Sequence, residues 1–202
     1  MRDTLSARRR LAVAGITTIC TLAVAAPAAA QTGGSGPPGS TTTTTTTPST
    51  TTDPAAPLAP PGRAKLRKDG TALAPSDAPA SIQAAIAAGN AIHTFPYRWG
   101  GGHRSFTDTG YDCSGAVSYV LHAAGLLASP EPSGPLASSW GVPGKGRWIT
   151  VFANASHAYM VVAGLRFDTS AVGERLNQGS GPRWRSTKRK ATGYTAKYYP
   201  GY

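Results

Sequence analysis

Apolar positions are distributed unevenly along the 202-residue chain. They form a near-continuous run over 11–26, almost vanish over 31–61, and become periodic only beyond residue 77. In "DAPASIQAAIAAGNAIHTF", Ile82, Ala85, Ile86 and Gly89 share one helical face; Asp77 and Pro79 mark the start, and Gly89-Asn90 weaken the end. "CSGAVSYVLHAAGLL" spaces Val117, Val120, Leu121 and Ala124 at helical intervals, which predicts a second helix from Cys113 with Gly125 as its stop. The composition then turns β-rich, and "RWITVFANASHAYMVVAGLRFDTS" predicts strands near 148–153, 157–163 and 165–169. Helices followed by a small, largely antiparallel sheet define an α+β class. The periodic region, 77–202, is the size of one domain with one modest core.

The segments before residue 77 lack such a period. Residues 1–30 open with Arg2 and Arg8 to Arg10, continue apolar from Leu11 and end in small residues, which predicts a secretory signal peptide cleaved after Ala30. As a membrane anchor the apolar run is short, and it contains Thr17, Thr18 and Thr21, so no stable span is expected after cleavage. Cys20 would leave with the signal, because "TTIC" lacks the small residue that precedes a lipoprotein cysteine. The "RRRL" run also permits twin-arginine export. Residues 31–76, with "STTTTTTTPSTTTDPAAPLAPP" at their centre, read as a disordered Thr/Pro/Ala-rich spacer that buries too little apolar surface to fold.

Charge narrows the partners. The formal net charge is +11, and loss of four arginines and one aspartate with the signal leaves +8. Outside a cell the available polyanions are wall polymers and membrane headgroups, and no nucleic-acid motif accompanies the charge. The segment "GPRWRSTKRKATGYTAKYYPGY" mixes cations with tyrosines. It would attract anionic wall polymers, or more simply form an edge strand and a solvated basic tail.

Cys113 then becomes the chemical question, as the one cysteine left in the exported chain. An unpaired thiol in an oxidising compartment is a liability unless buried or used. At a helix start it faces the positive end of the macrodipole, the setting of a nucleophilic thiolate. A nucleophile needs a base and a group to orient that base. His93, His103 and His122 fall at a helix end, in the "WGGGH" loop and mid-helix, positions that suit structural or exposed histidines. His157 opens the run "AYMVVAG", and Asp168 lies eleven residues on, past a Gly164 turn. An antiparallel hairpin would put the carboxylate on one ring nitrogen and leave the other for the thiol. The lone cysteine and scattered histidines lack zinc-ligand spacing, and no metal or other cofactor is expected.

"YRWGGG", "DCSG", "SHAYMVVAG" and "RFDTS", in that order, resemble the NlpC/P-sixty family of papain-like cysteine peptidases. The resemblance covers about residues 80–168. It implies a papain-like core with the nucleophile at a helix N-terminus, peptidoglycan as substrate, and cleavage of stem peptides between γ-D-glutamate and a diamino acid. It further implies Cys113 as nucleophile, His157 as general base and acid, and Asp168 as third member. Tyr97 and Trp99 of the "YRWGG" element, with Asp112 and Ser114, would bind the substrate. Ser156 before the histidine and an aspartate in third place depart from the commoner pattern and bear on substrate choice. The alternatives are an amidase of the CHAP type, a transglutaminase-like acyl transferase with the same Cys, His, Asp order, and a noncatalytic wall-binding module.

Overall fold

The computed structural model describes residues 59–172 and 180–202. The expected signal peptide and residues 31–58 of the expected spacer lie outside the described residues.

The folded unit begins before the boundary at Asp77 expected from composition. Strands β1 (Lys65–Leu66) and β2 (Ala72–Leu73) form an antiparallel hairpin. Ala59, Ala72 and Ala74 are buried, and Ala59 N–H donates to Ala74 O at 2.7 Å. The Asn90 side chain clamps β2, accepting from Ala72 N–H at 2.8 Å and donating to Ala72 O at 2.9 Å. Ala64 N–H reaches Ala163 O at 2.9 Å. Backbone pairing is indifferent to side-chain hydrophobicity, so a Pro/Ala-rich composition understates what this segment contributes.

Helix α1 (Ala80–Ile92) buries Ile82, Ala85, Ile86, Gly89 and Ile92. It runs through Gly89-Asn90 rather than fraying there, because each has a tertiary partner. A Cβ at Gly89 would overlap the Trp184 ring, and Asn90 holds β2. Helix α2 (Cys113–Ala123) packs Val117, Val120 and Leu121 into the core. It stops at Gly125, with φ +73° and its N–H on His122 O at 2.9 Å. A short helix, α3 (Ser133–Ser138), follows.

Six strands then build one antiparallel sheet: β3 (Val142–Pro143), β4 (Ile149–Ala153), β5 (Ala158–Val162), β6 (Leu165–Asp168), β7 (Arg183–Arg185) and β8 (Thr195–Tyr198). Their order is β3-β8-β4-β5-β6-β7. The β5–β6 turn is made by Ala163 and Gly164, both at positive φ (46° and 81°), the two-residue geometry that matches strand twist. It fixes the register Met160↔Phe167 and Val162↔Leu165.

The sheet has two unlike faces. Val151, Met160, Phe167 and Trp184 meet α1 and α2 in the core, with the Phe167 and Trp184 rings 4.7 Å apart. Each such side chain contributes about 1.5–3 kcal/mol of burial. The alternate residues Phe152, Tyr159, Arg166 and Arg185 form the other face, outside that cluster. The expected basic tail is corrected as well: β7 is an edge, but β8 lies inside the sheet, between β3 and β4. Lys197 of β8 is buried and donates to Ser138 O at 3.0 Å, its apolar stem serving as strand and its ammonium as a clasp.

Candidate active site

The start of α2 is assembled by the loop before it. Tyr97 bridges Tyr111 in parallel, with Arg98 N–H on Tyr111 O at 3.2 Å and Tyr111 N–H on Pro96 O at 3.1 Å. The glycine loop is thereby folded onto the helix. A Cβ at Gly115 would overlap the Gly101 carbonyl, and one at Gly101 would overlap the Gly110 carbonyl, which is why glycines occupy both.

Asp112 caps α2 and holds the loop at the same time. It is 4% exposed. Oδ1 accepts from Gly115 N–H at 2.8 Å and from Ser114 Oγ at 3.2 Å, and Oδ2 accepts from Gly100 N–H at 3.1 Å. His103 Nε2 lies 2.9 Å from Oδ2 and 3.0 Å from Ser114 Oγ. A carboxylate at an N-cap satisfies free helix N–H groups and sits favourably at the positive end of the dipole. Cys113, next in sequence, is 8% exposed, and its N–H is one of the four that the helix itself leaves unsatisfied.

The second half of the site comes from the sheet. His157 lies at the turn entering β5, where Asn154 Oδ1 accepts from His157 N–H and Ser156 N–H, both at 2.9 Å. Its Nε2 is 3.0 Å from Asp168 Oδ1 at the end of β6, and its ring also interacts with the Cys113 side chain. With Nε2 on the carboxylate, the thiol faces Nδ1. Burial alone would push the His157 pKa down. The bonds to Asp168 and Cys113 outweigh it and raise the value from 6.5 to about 9.

Asp168 is completely buried and multiply held. Ser170 N–H donates to Oδ1 at 2.9 Å, Arg189 Nη1 donates to Oδ2 at 3.1 Å, and Arg166 Nε lies 3.7 Å from Oδ2. Burial pushes its pKa up, but His157, Ser170 and Arg189 together bring it below the ordinary carboxylate value. Arg189 also donates to Tyr194 OH at 2.7 Å and lies over the Tyr159 and Tyr194 rings, 5.4 and 5.3 Å from their centroids. Tyr194 presents its ring at 78° to His157, with centroids 6.2 Å apart.

The structure therefore brings Cys113, His157 and Asp168 together, with Asp112 and Ser114 flanking the cysteine in the chain and bonded to each other and to His103. Tyr97 is exposed at 38%, and its pKa is raised by partial burial and then by Cys113 and Asp112. Trp99 is 86% exposed at the rim of the loop. Sequence reasoning missed Arg189, Tyr159 and Tyr194 and placed His103 outside the site. Arg189 stood in the run "KRK" with nothing to separate it from its neighbours. The nearness of His103 to the "DCS" element was a usable signal, since a loop histidine nine residues before a helix-capping aspartate can fold back onto it. Among the described residues no cluster of three or more His, Cys, Asp or Glu could hold a metal ion.

No family model and no curated protein matches the chain. Two solved structures of Mycobacterium tuberculosis proteins resemble it. Rv1477, a hypothetical invasion protein, is 22% identical over 58% of this chain and 63% of its own, with a TM-score of 0.41. The peptidoglycan hydrolase RipB (Rv1478) is 18% identical over 60% and 66%, with a TM-score of 0.45. The chain thus spans less than two thirds of either protein's length. Neither likeness carries weight in assigning a function, which rests on the residues themselves.

Proposed function

We propose that the protein is a secreted, cell-wall-associated cysteine peptidase that hydrolyses peptidoglycan stem peptides between γ-D-glutamate and a diamino acid. The observation that carries the reading is the thiol of Cys113 at a capped helix start, interacting with a histidine whose Nε2 is held by a buried aspartate. The order of "YRWGGG", "DCSG", "SHAYMVVAG" and "RFDTS" supports the substrate class, and the pattern of residues 1–30 supports export.

The chemistry follows from the arrangement. Cys113 Sγ passes its proton to His157 Nδ1 and attacks the γ-glutamyl carbonyl, forming the S–C bond. The resulting oxyanion is stabilised by the Cys113 N–H at the positive end of α2. As the C–N bond breaks, the imidazolium returns its proton to the leaving amine, so the free amino group of the diamino acid departs and a thioester remains. His157 then takes a proton from water as the hydroxide attacks. The S–C bond breaks, the acid is released and the thiol regains its proton. Asp168 keeps Nε2–H oriented and stabilises the imidazolium without being protonated. Tyr97 and Trp99 form the substrate wall, and Asp112 and Ser114 hold the floor.

The test is digestion of purified peptidoglycan by the mature protein and by Cys113→Ala, with released fragments identified by mass. Cysteine-dependent fragments ending in γ-D-glutamate are expected. Fragments with a new muramic-acid terminus would transfer the protein to the amidases. Equal release by Cys113→Ala would overturn the thiol mechanism.

A further inference from the structure

The end of the sheet that carries His157 is built from four neighbouring strands, in the order β8-β4-β5-β6. Tyr194 leads into β8, Asn154 leaves β4, His157 leads into β5 and Asp168 closes β6. Ala153, the last residue of β4, faces Ala158 on one side and Thr195 on the other. Strand register therefore sets Asn154, His157 and Tyr194 side by side, although Tyr194 is 37 positions beyond the histidine in the chain.

The Asn154 side chain ties these strand ends together. Its Oδ1 accepts from His157 N–H and Ser156 N–H, and its Nδ2 donates to Gly193 O, each at 2.9 Å. All three partners are backbone groups of fixed polarity, so one orientation of the amide satisfies them and the reverse satisfies none. The turn that receives the amide is itself closed: Tyr194 N–H donates to Ala191 O at 3.0 Å, with Gly193 supplying the positive φ of +80°. At the far end of the Tyr194 side chain, Arg189 Nη2 donates to the hydroxyl at 2.7 Å. The ring is thus held at both its backbone and its tip.

Two tyrosine rings border the imidazole. Tyr159, buried in β5, lies at 29° to it with centroids 6.4 Å apart, and Tyr194 stands at 78° with centroids 6.2 Å apart. The tyrosines meet each other at 81° and 5.1 Å, so His157 occupies a right-angled corner. Edge-to-face rings at about 4.5–7 Å favour one mutual orientation over others. The bond from Nε2 to Asp168 Oδ1 fixes one point of the imidazole and leaves it free to swing about that point. Strand β5 supplies Tyr159 as one wall against the swing, and Tyr194 supplies the other.

We propose that Tyr194 is a positioning residue for His157: its ring, held by Asn154 and Arg189, confines the imidazole to the orientation in which Nδ1 faces Cys113. The inference rests on the reading of His157 as the partner of the Cys113 thiol. Tyr194 exchanges no proton in this role, and it acts through the histidine.

Alkylation of Cys113 by iodoacetamide, followed from pH 5 to 10 on the full chain, tests the proposal in Tyr194→Ala and Tyr194→Phe beside wild type and His157→Ala. Melting temperatures establish that each chain is folded at the assay temperature; if Tyr194→Ala is not, Tyr194→Leu, which fills the space without a ring, replaces it. In Tyr194→Ala the rise in rate is expected about one pH unit above that of wild type, so the neutral rate falls by about tenfold. Tyr194→Phe keeps the ring and should stay within about threefold of wild type. A purely structural role would lower the melting temperature of Tyr194→Ala and leave its alkylation profile on that of wild type, a result that overturns the proposal. Equal slowing in Tyr194→Phe also overturns it, because the hydroxyl and Arg189 would then carry the effect instead of the ring. A wild-type profile identical to that of His157→Ala would remove the thiol–histidine pair itself, a failure visible before any Tyr194 variant is compared. Because alkylation needs no wall substrate, the outcome stands whichever bond the protein cleaves.

Discussion

Cys113 lies between two histidine–aspartate pairs that are built differently. His103 meets Asp112 within one loop and the helix it caps, and the same carboxylate serves Gly100, Gly115 and Ser114. His157 meets Asp168 across two strands, and its other contact is the thiol. In the first pair the aspartate is the hub and the histidine one of several spokes. In the second the aspartate is held as firmly, by Ser170 and Arg189, but the histidine stands between that buried anion and a thiol. Identical residue types thus do different work because of what lies on the free side of the imidazole.

The largest expected difference between the pairs is in turnover. His157→Ala removes the proton carrier and should lower peptidoglycan hydrolysis by about 10²–10⁴-fold, whereas His103→Ala, assayed alongside, should leave the rate within about tenfold. A stability assay should rank the aspartates by their hub role. Asp112→Ala strips the cap from α2 and leaves the loop N–H groups unpaired, a loss of about 2–3 kcal/mol in urea denaturation. An intact midpoint in that variant would mean the cap is dispensable.

The pH dependence belongs to the second pair. The His157 pKa is raised from 6.5 to about 9, so its contribution to stability is complete below about 6.5 and is lost as pH rises toward 9. Activity should fall over the same upper limb, as the leaving amine loses its proton donor. Asp168, lowered from 3.8, contributes above that value, and its part is lost as pH falls through its folded pKa. A pH–rate profile and a pH series of melting temperatures check both signs. The smallest effect is assigned to Arg189→Gln. Loss of one partner of Asp168 should reduce the rate by about three- to tenfold and shift the upper limb, while the fold survives. An unchanged profile would remove Arg189 from the positioning of the pair.

How far these features were legible in the chain depends on whether their causes are local. The helical periods of α1 and α2, and the β-rich runs of β4, β5 and β6, lie in contiguous sequence, and the structure places those elements within a residue or two of expectation. The candidate residues Cys113, His157 and Asp168 could be read because a helix start marks the thiol, a hairpin joins His157 to Asp168, and the order of "DCSG", "SHAYMVVAG" and "RFDTS" linked the two halves. What was missed is non-local. Residues 59–76 fold through backbone bonds to Asn90 and Ala163, which composition does not encode. β8 hides in a basic, tyrosine-rich segment because a buried lysine stem replaces an apolar side chain. Arg189 reaches Asp168 from 21 residues away, and nothing in "KRK" distinguishes the one cation that turns inward.

The most direct measurement is the rate of Cys113 alkylation by iodoacetamide from pH 5 to 10, in the wild-type chain, His157→Ala and His103→Ala. If the His157 pair activates the thiol, wild type and His103→Ala will react rapidly at neutral pH, while His157→Ala will react slowly until the solution is alkaline. Equal profiles for wild type and His157→Ala would contradict the account, because the thiol would then owe nothing to the histidine on which the proposed chemistry depends.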